Sequence, residues 1–430
     1  MYKNKLRTPE GVTDYLPRDY ALKKEIESRI ESVFYGYGYS FIKSPTFEYA
    51  EVFEDSSDSA STYKFIDRDG AVLSLRPDLT PPIARIAATN FTREDVPLRF
   101  CYVENAFRCN ESYQGKLREF TQAGVELIGV SSCEADAEVI AVAINSLITA
   151  GFADFRVDIG QVEFLKGVIE EAGLPCEDDK RLMDLILNKD YAGVERFVSG
   201  KIIPPGVKEI LSDLSSRIGG GEILSRCRDL TGNGRAVKAL ERLGEIHDIL
   251  KGYGLGEFIS FDLGMLGMLD YYTGIIFRGY VRGTGFYVID GGRYDNLCGK
   301  FGKDFPAVGF AIRVNNLIPA FESQSEMIPA TKADTLVAYA ANGRDGALAA
   351  ADELRSLGLL IENGLLGSDV EANVQYAKKH GIGGVIYFTD DDNAVLIDVN
   401  SGGRAATTRR ELIDEPGRTP GAKTYAGAAT

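Results

Sequence analysis

The feature that most restricts the fold is an interruption in the patterning of the chain. Strand-like segments run from Tyr39 to Ile159, a mainly helical stretch follows from about Gln161 to Gly256, and strand signals return at Leu269–Arg278 and Phe286–Ile289. That pattern predicts an α+β core, residues 1–160 with 257–325, carrying an inserted helical domain at 161–256. Breaks at Pro175, Pro204-Pro205 and Gly219–Gly221 divide the insert. Ahead of the first strand, Leu22, Ile26, Ile30 and Val33 recur at helical spacing, with Asp19 as the expected cap and Gly36 or Gly38 as the stop. Strands are expected at Tyr39–Ile42, Val72–Arg76, Leu98–Arg108 and Phe120–Ile128. Ser131 with Glu134 reads as a capping box opening an Ala/Val/Ile-rich helix that stops at Gly151. Beyond a linker at Ser323–Lys332, a strand at Thr335–Ala340, helices at Asp345–Leu357 and Val370–His380, and a strand at Gly384–Phe388 predict a small α/β domain over 333–415. Arg418–Thr430 is rich in Gly, Ala and Thr, the composition of a loose tail.

Charge and cysteine usage exclude several classes. The 430 residues carry a net charge of −15, a poor balance for gripping a polyanion, and the lean is away from tRNA. The six cysteines (Cys101, Cys109, Cys133, Cys176, Cys227, Cys298) form no C-x-x-C pair, which argues against a zinc site or a disulfide framework and for a reducing cytoplasm. No apolar run approaches the roughly 18–20 residues that span a bilayer. Met1–Arg7 is basic but has no apolar stretch behind it, unlike a secretory signal.

Four segments offer chemistry. On a strand, Gln122, Gly124 and Glu126 project on one face, and the missing side chain at Gly124 leaves room for a small polar cation between an amide and a carboxylate. A solvated strand face with a glycine bulge is the plainer alternative. Leu75-Arg76-Pro77-Asp78-Leu79-Thr80 ends a strand and sets a carboxylate two residues from a hydroxyl, a pair able to accept from an ammonium group or simply to cap a turn. Tyr271 and Tyr272 lie on opposite faces if they sit in a strand, so at most one lines a given pocket. Arg108 and Arg118 flank a polar hairpin-like stretch and could hold a phosphate or carboxylate, though solvated arginines are commoner there.

In their order and spacing these segments resemble one family. Pro9–Asp14, Leu75–Thr80, the run from Phe107-Arg108 through Gly115, Arg118, Phe120 and Gln122 to Glu126, Leu269-Asp270-Tyr271-Tyr272, Gly291–Asp295 and Gly309-Phe310-Ala311 are similar to the histidyl-tRNA synthetase catalytic domain over about residues 5–320. Residues 333–415 resemble, more faintly, that family's anticodon-binding domain, although residues 331–430 are acidic on balance. The resemblance implies a class II synthetase-like, mostly antiparallel sheet, a dimer built near Pro45, and a histidine pocket. Asp78, where the synthetases place a glutamate, and Thr80 would face the amino group. Gln122 and Glu126 would be pocket polar groups, with Glu126 the partner of imidazole or ammonium. Tyr271 and Tyr272 match the family's tyrosine pair, and Arg108 the arginine that holds carboxylate or α-phosphate.

The activating groups are missing. An arginine two residues before the Leu of Leu-Asp-Tyr-Tyr is replaced by Gly267, the acidic residue two after Arg108 by Asn110, and the Glu-Arg pair closing the third motif by Asn315-Asn316. Arg313, three residues away, is expected to point elsewhere. One transition-state arginine is worth about 10³–10⁵ in rate, so such a chain is expected to bind histidine without activating it. Within the family this is the pattern of the regulatory branch that accompanies a short catalytic ATP phosphoribosyltransferase in the first step of histidine biosynthesis. The resemblance therefore implies feedback by histidine, a homodimer inside a hetero-oligomer, and no catalytic residue, metal or cofactor. A divergent synthetase, or a synthetase-like module with another partner, is the alternative. Asp390-Asp391-Asp392 lacks the phosphate loop of a diphosphate-ribose site and reads as a solvated acidic turn, and His247 and His380 lie in no motif.

Overall fold

The computed structural model describes residues 3–54, 62–109, 117–214, 218–265, 271–324 and 333–421. It divides into two compact units, 1–328 and 329–430.

In the first unit, Pro17 occupies the first turn of α1 (Pro17–Gly36), where a missing N–H costs nothing. Leu16 takes the cap position, so Asp19 lies inside the first turn instead of at the cap. Leu22, Ile26, Ile30 and Phe34 form the buried stripe of this helix. Strands β1 (Ser40–Phe41), β2 (Phe47–Tyr49), β3 (Lys64–Ile66) and β4 (Val72–Leu75) precede α2 (Thr80–Asn90). Then come β5 (Leu98–Phe107), β6 (Glu119–Ile128), α3 (Cys133–Thr149) and β7 (Phe155–Gln161). Ser132, one residue later than expected, caps α3 by accepting from the Ala135 N–H. The helical stretch supplies α4 (Val162–Ala172), α5 (Cys176–Leu187), α6 (Tyr191–Ser199), α7 (Pro205–Ser212), the short β8 (Ile218–Gly219), α8 (Glu222–Arg228) and α9 (Gly234–Gly252). The unit closes with β9 (Ile259–Asp262), β10 (Ile275–Val281), β11 (Tyr287–Arg293), β12 (Ala307–Arg313) and α10 (Val314–Gln324).

Nine strands form the main sheet in the order β1-β5-β6-β12-β11-β10-β7-β9-β8, and β2-β4-β3 make a small sheet beside it. Among the described residues of this sheet only the β1–β5 and β7–β9 pairs are parallel, which gives the mostly antiparallel α+β sheet that the resemblance implies. Ala123, Val125, Leu127, Val308 and Ile312 bury one face of the central strands in a core shared with Ile26, Ile140 and Leu317 of α1, α3 and α10. The helical stretch joins this same core through Phe164, Leu165, Leu240 and Leu243. It is an insertion in sequence but continuous with the sheet in packing.

The second unit contains β13 (Thr335–Tyr339), α11 (Arg344–Ser356), β14 (Ile361–Asn363), α12 (Val370–His380), β15 (Gly384–Phe388), β16 (Asn393–Asp398), β17 (Arg404–Thr408) and α13 (Arg409–Asp414). Its sheet, β14-β13-β15-β16-β17, has α11 on one face and α12 on the other. Asp391 of the acidic turn accepts from the Gly346 N–H at 3.0 Å, at the first turn of α11. The loose tail expected from Arg418 is not loose at its start. Thr419 is buried and the Thr335 hydroxyl donates to the Pro420 carbonyl at 2.7 Å, because Gly383 and Gly384 leave room for a chain to lie against β15. Residues 422–430 lie outside the described residues. Among the described residues no helix is long and apolar enough to cross a membrane, no group of side chains could hold a metal, and all six cysteines are thiols.

Candidate functional site

The face of the main sheet opposite α1 and α3 is poor in side-chain volume at its centre. Register sets Gly124 of β6 beside Ala311 of β12, Gly309 of β12 beside Glu126 of β6, and Gly292 of β11 beside Gly309. Larger groups lie flat against these small residues. A Cβ on Gly124 would stand 2.6 Å from the Tyr102 hydroxyl oxygen, and one on Gly292 would stand 2.7 Å from the Tyr272 ring. The gap at Gly124 that the sequence offers to a ligand is thus taken by Tyr102. The open space lies one strand over, above Gly309 and Ala311, as a cavity of about 430 Å³ including its mouth. Asp78, Thr80, Arg108, Gln122, Tyr271, Tyr272, Asp290, Tyr294 and Arg313 wall it.

Six of the seven residues expected around a ligand therefore meet there. Asp78, just ahead of α2, accepts from the Leu79 N–H at 2.8 Å and from the Tyr271 hydroxyl at 3.1 Å. Tyr271 and Tyr272 both face the cavity, their rings packed edge to face at 5.1 Å. They precede β10 instead of lying within it, so strand alternation does not separate them. Burial, reinforced by nearby carboxylates, holds both phenols well above their ordinary pKa. Gln122 is 4% exposed, and its Oε1 has no partner among the described residues. A buried acceptor left unpaired costs about 1–3 kcal/mol, which a donor in the cavity would recover.

Glu126 is the seventh, and it sits beneath the cavity. It accepts from the Thr80 hydroxyl at 2.8 Å, from Tyr102 at 3.4 Å and from the Tyr294 hydroxyl. Burial pushes its carboxyl up to about 8 against the opposing pull of those hydroxyls. Three residues of the site escape the sequence pattern: Asp290, Tyr294 and Arg313. Asp290 was within reach, since it alternates with Gly292 on the same strand face. Arg313 overturns its expectation. Pairing of Arg313 with Gln122 puts it on the cavity side, with its guanidinium over the rings of Tyr287 at 4.9 Å and Phe120 at 5.8 Å. Arg108 also covers the Phe120 ring, at 5.5 Å, and donates from Nε to the Pro77 carbonyl at 2.9 Å. Asp290 lies 3.4 Å from Arg278 Nε, and burial raises its pKa against the fields of Arg278 and Arg313.

Residues 11–317 match the family model described as histidyl-tRNA synthetase. A protein of Acetivibrio thermocellus named ATP phosphoribosyltransferase regulatory subunit is 42% identical over 412 residues, covering 95% of this chain and 99% of the relative. A protein of Ruminiclostridium cellulolyticum with the same name is 42% identical over 404 residues, 93% of this chain and 96% of the relative. The chain belongs to the ATP phosphoribosyltransferase regulatory subunit family. The crystal structure of an ATP phosphoribosyltransferase regulatory subunit/histidyl-tRNA synthetase from Bacillus halodurans superposes with a TM-score of 0.79 at 32% identity, covering 89% of this chain and 98% of that one. The histidyl-tRNA synthetase of Nostoc sp. PCC 7120 also gives 0.79, at 22% identity over 96% of this chain and 99% of that one, a likeness of fold.

The four positions expected from the sequence to depart from the synthetase motifs divide in two. Asn110 and Gly267 lie outside the described residues. Asn315, in the first turn of α10, accepts from the Thr121 N–H at 2.6 Å and donates to the Tyr15 hydroxyl. Its amide joins β6 to the segment ahead of α1 and is consumed by that structural task, and Asn316 follows it, half-buried.

Proposed function

We propose that this chain is the non-catalytic regulatory subunit of an ATP phosphoribosyltransferase and that its cavity holds free histidine as the feedback effector. It would act with a short catalytic subunit, as a homodimer within a hetero-oligomer. The observation that carries the effector assignment is the unpaired Gln122 Oε1 in a cavity that also presents Asp78. Acceptors at that position suit an ammonium group or an imidazole N–H, while Arg108 and Arg313 suit a carboxylate.

Regulation of this kind needs only about 1–3 kcal/mol of coupling between effector and partner, within reach of a few polar contacts. Calorimetric titration of L-histidine is expected to give one site per chain. Gln122→Leu should weaken it by about 10-fold, the worth of one buried hydrogen bond. Arg313 favours a second reading, a divergent synthetase, because it returns a cation to the cavity. Histidine-dependent pyrophosphate exchange separates the two: its absence is expected, and robust exchange would replace the regulatory assignment.

A further inference from the structure

Arg313 is half-buried, yet it makes no ion pair with any described residue. The one hydrogen bond of its guanidinium within the described residues runs from Nη2 to the Tyr287 hydroxyl at 3.3 Å. A guanidinium carries five N–H donors, so most of its donor capacity is unspent. The rings of Tyr287 and Phe120 lie against its guanidinium, and Asp290, a wall carboxylate within its field, lies 3.4 Å from Arg278. Strand register sets Arg313 directly across from Gln122, so a ligand touching the Gln122 amide has Arg313 as its next neighbour. A planar fork with free donors, beside an unpaired acceptor, is the arrangement that reads a carboxylate one or two bonds from an amine.

We infer that Arg313 is the specificity-determining residue of the cavity, selecting amino acids with a free α-carboxylate over derivatives in which that carboxylate is masked or reduced. The inference rests on the effector reading and deepens it. An end product would be recognised by its carboxylate, whereas an amino alcohol or an amide sharing its side chain would be rejected. Arg108 contributes to the same field, but its Nε is spent on the Pro77 carbonyl.

The experiment compares calorimetric dissociation constants of L-histidine, L-histidinamide and L-histidinol for the full-length protein and for Arg313→Ala and Arg313→Lys. The wild-type protein should prefer histidine over both analogues by about 10- to 100-fold, the worth of a charge-assisted hydrogen bond. Arg313→Ala should lower that ratio by about 10-fold, mostly through weaker histidine binding with the analogues little changed, and Arg313→Lys should restore part of it. A purely structural role for Arg313 would move all three ligands together. An unchanged ratio in Arg313→Ala overturns the assignment of Arg313 while leaving the effector reading intact. Failure of the wild-type protein to bind histidine at all would end both.

Discussion

Glu126 is wholly buried among three hydroxyl groups, and the chemistry of one carboxyl there reaches beyond the cavity. Its pKa stands at about 8 in the folded chain against an ordinary 4.5, so the folded state holds a proton that the unfolded state releases between those values. Folding stability from this group is thus complete below 4.5 and declines as pH rises towards 8. Melting temperature followed by calorimetry should fall across that window. Glu126→Gln, which keeps the shape and cannot titrate, should remove this component of the slope. Gly309 is bound to the same carboxyl, since a Cβ there would overlap Glu126 Oε2 and stand 2.6 Å from the Val125 carbonyl. Gly309→Ala should cost at least about 1–3 kcal/mol in chemical denaturation, because backbone on the neighbouring strand cannot yield. The motif match supplied the identity of these residues but not their depth. Depth depends on which neighbouring strand carries glycine, and that is set by a register between segments nearly two hundred residues apart.

Among the elements, a buried ionic contact adds to the apolar packing that joins the inserted helices to the sheet. Asp136 on α3 is fully buried and takes Arg293 of β11 on one oxygen at 2.6 and 2.9 Å, and Arg242 of α9 on the other at 2.6 and 2.8 Å. Burial pushes this carboxyl up, and the two guanidinium groups oppose the shift. Arg293 is itself 3% exposed and would keep Asp295, at 2.9 Å, as its one ion-pair partner among the described residues, so removing the Asp136 carboxylate leaves its Nε and Nη2 donors buried without their acceptor. Asp136→Ala should therefore cost about 3–5 kcal/mol, read as a lower urea midpoint for the first unit. Element identity was largely legible wherever one periodicity ran long enough. α12 and β15 begin and end where the pattern places them, and β5 and β6 differ from it by a single residue. What escaped was short or atypical. β14 has three residues, β16 follows an acidic turn that carries no hairpin signature, β17 follows a glycine turn with Gly402 at φ 74° whose signal was left unread, and β11 runs on through Gly291-Gly292, beyond the Phe286–Ile289 signal. Those glycines are kept for Phe277 and Tyr272, whose rings need the space.

For the whole molecule, the division into two compact units has a consequence for where the second one ends. Its sheet is covered on both faces by its own helices, with Val337, Ile386 and Phe388 packed under α11 and Leu336, Ala338 and Val385 under α12. Such a unit, with a core on each face of its sheet, is expected to fold alone, yet composition places its boundary at 415, short of a segment that the packing uses. Thr419 is buried, Pro420 accepts from Thr335, and the main chain at Pro420 and Gly421 lies so close to Gly384 and Gly383 that neither position tolerates a Cβ. Thr335 begins β13, so the segment seals the end of the central strand pair. A fragment of residues 333–421 should unfold as one cooperative transition by circular dichroism. Ending it at 415 exposes the start of β13 and β15 and leaves the Thr335 hydroxyl without its acceptor, a loss of about 1–3 kcal/mol that should appear as a lower and broader transition. Equal stability of the two fragments would mean that the chain beyond 415 lies on the sheet without supporting it.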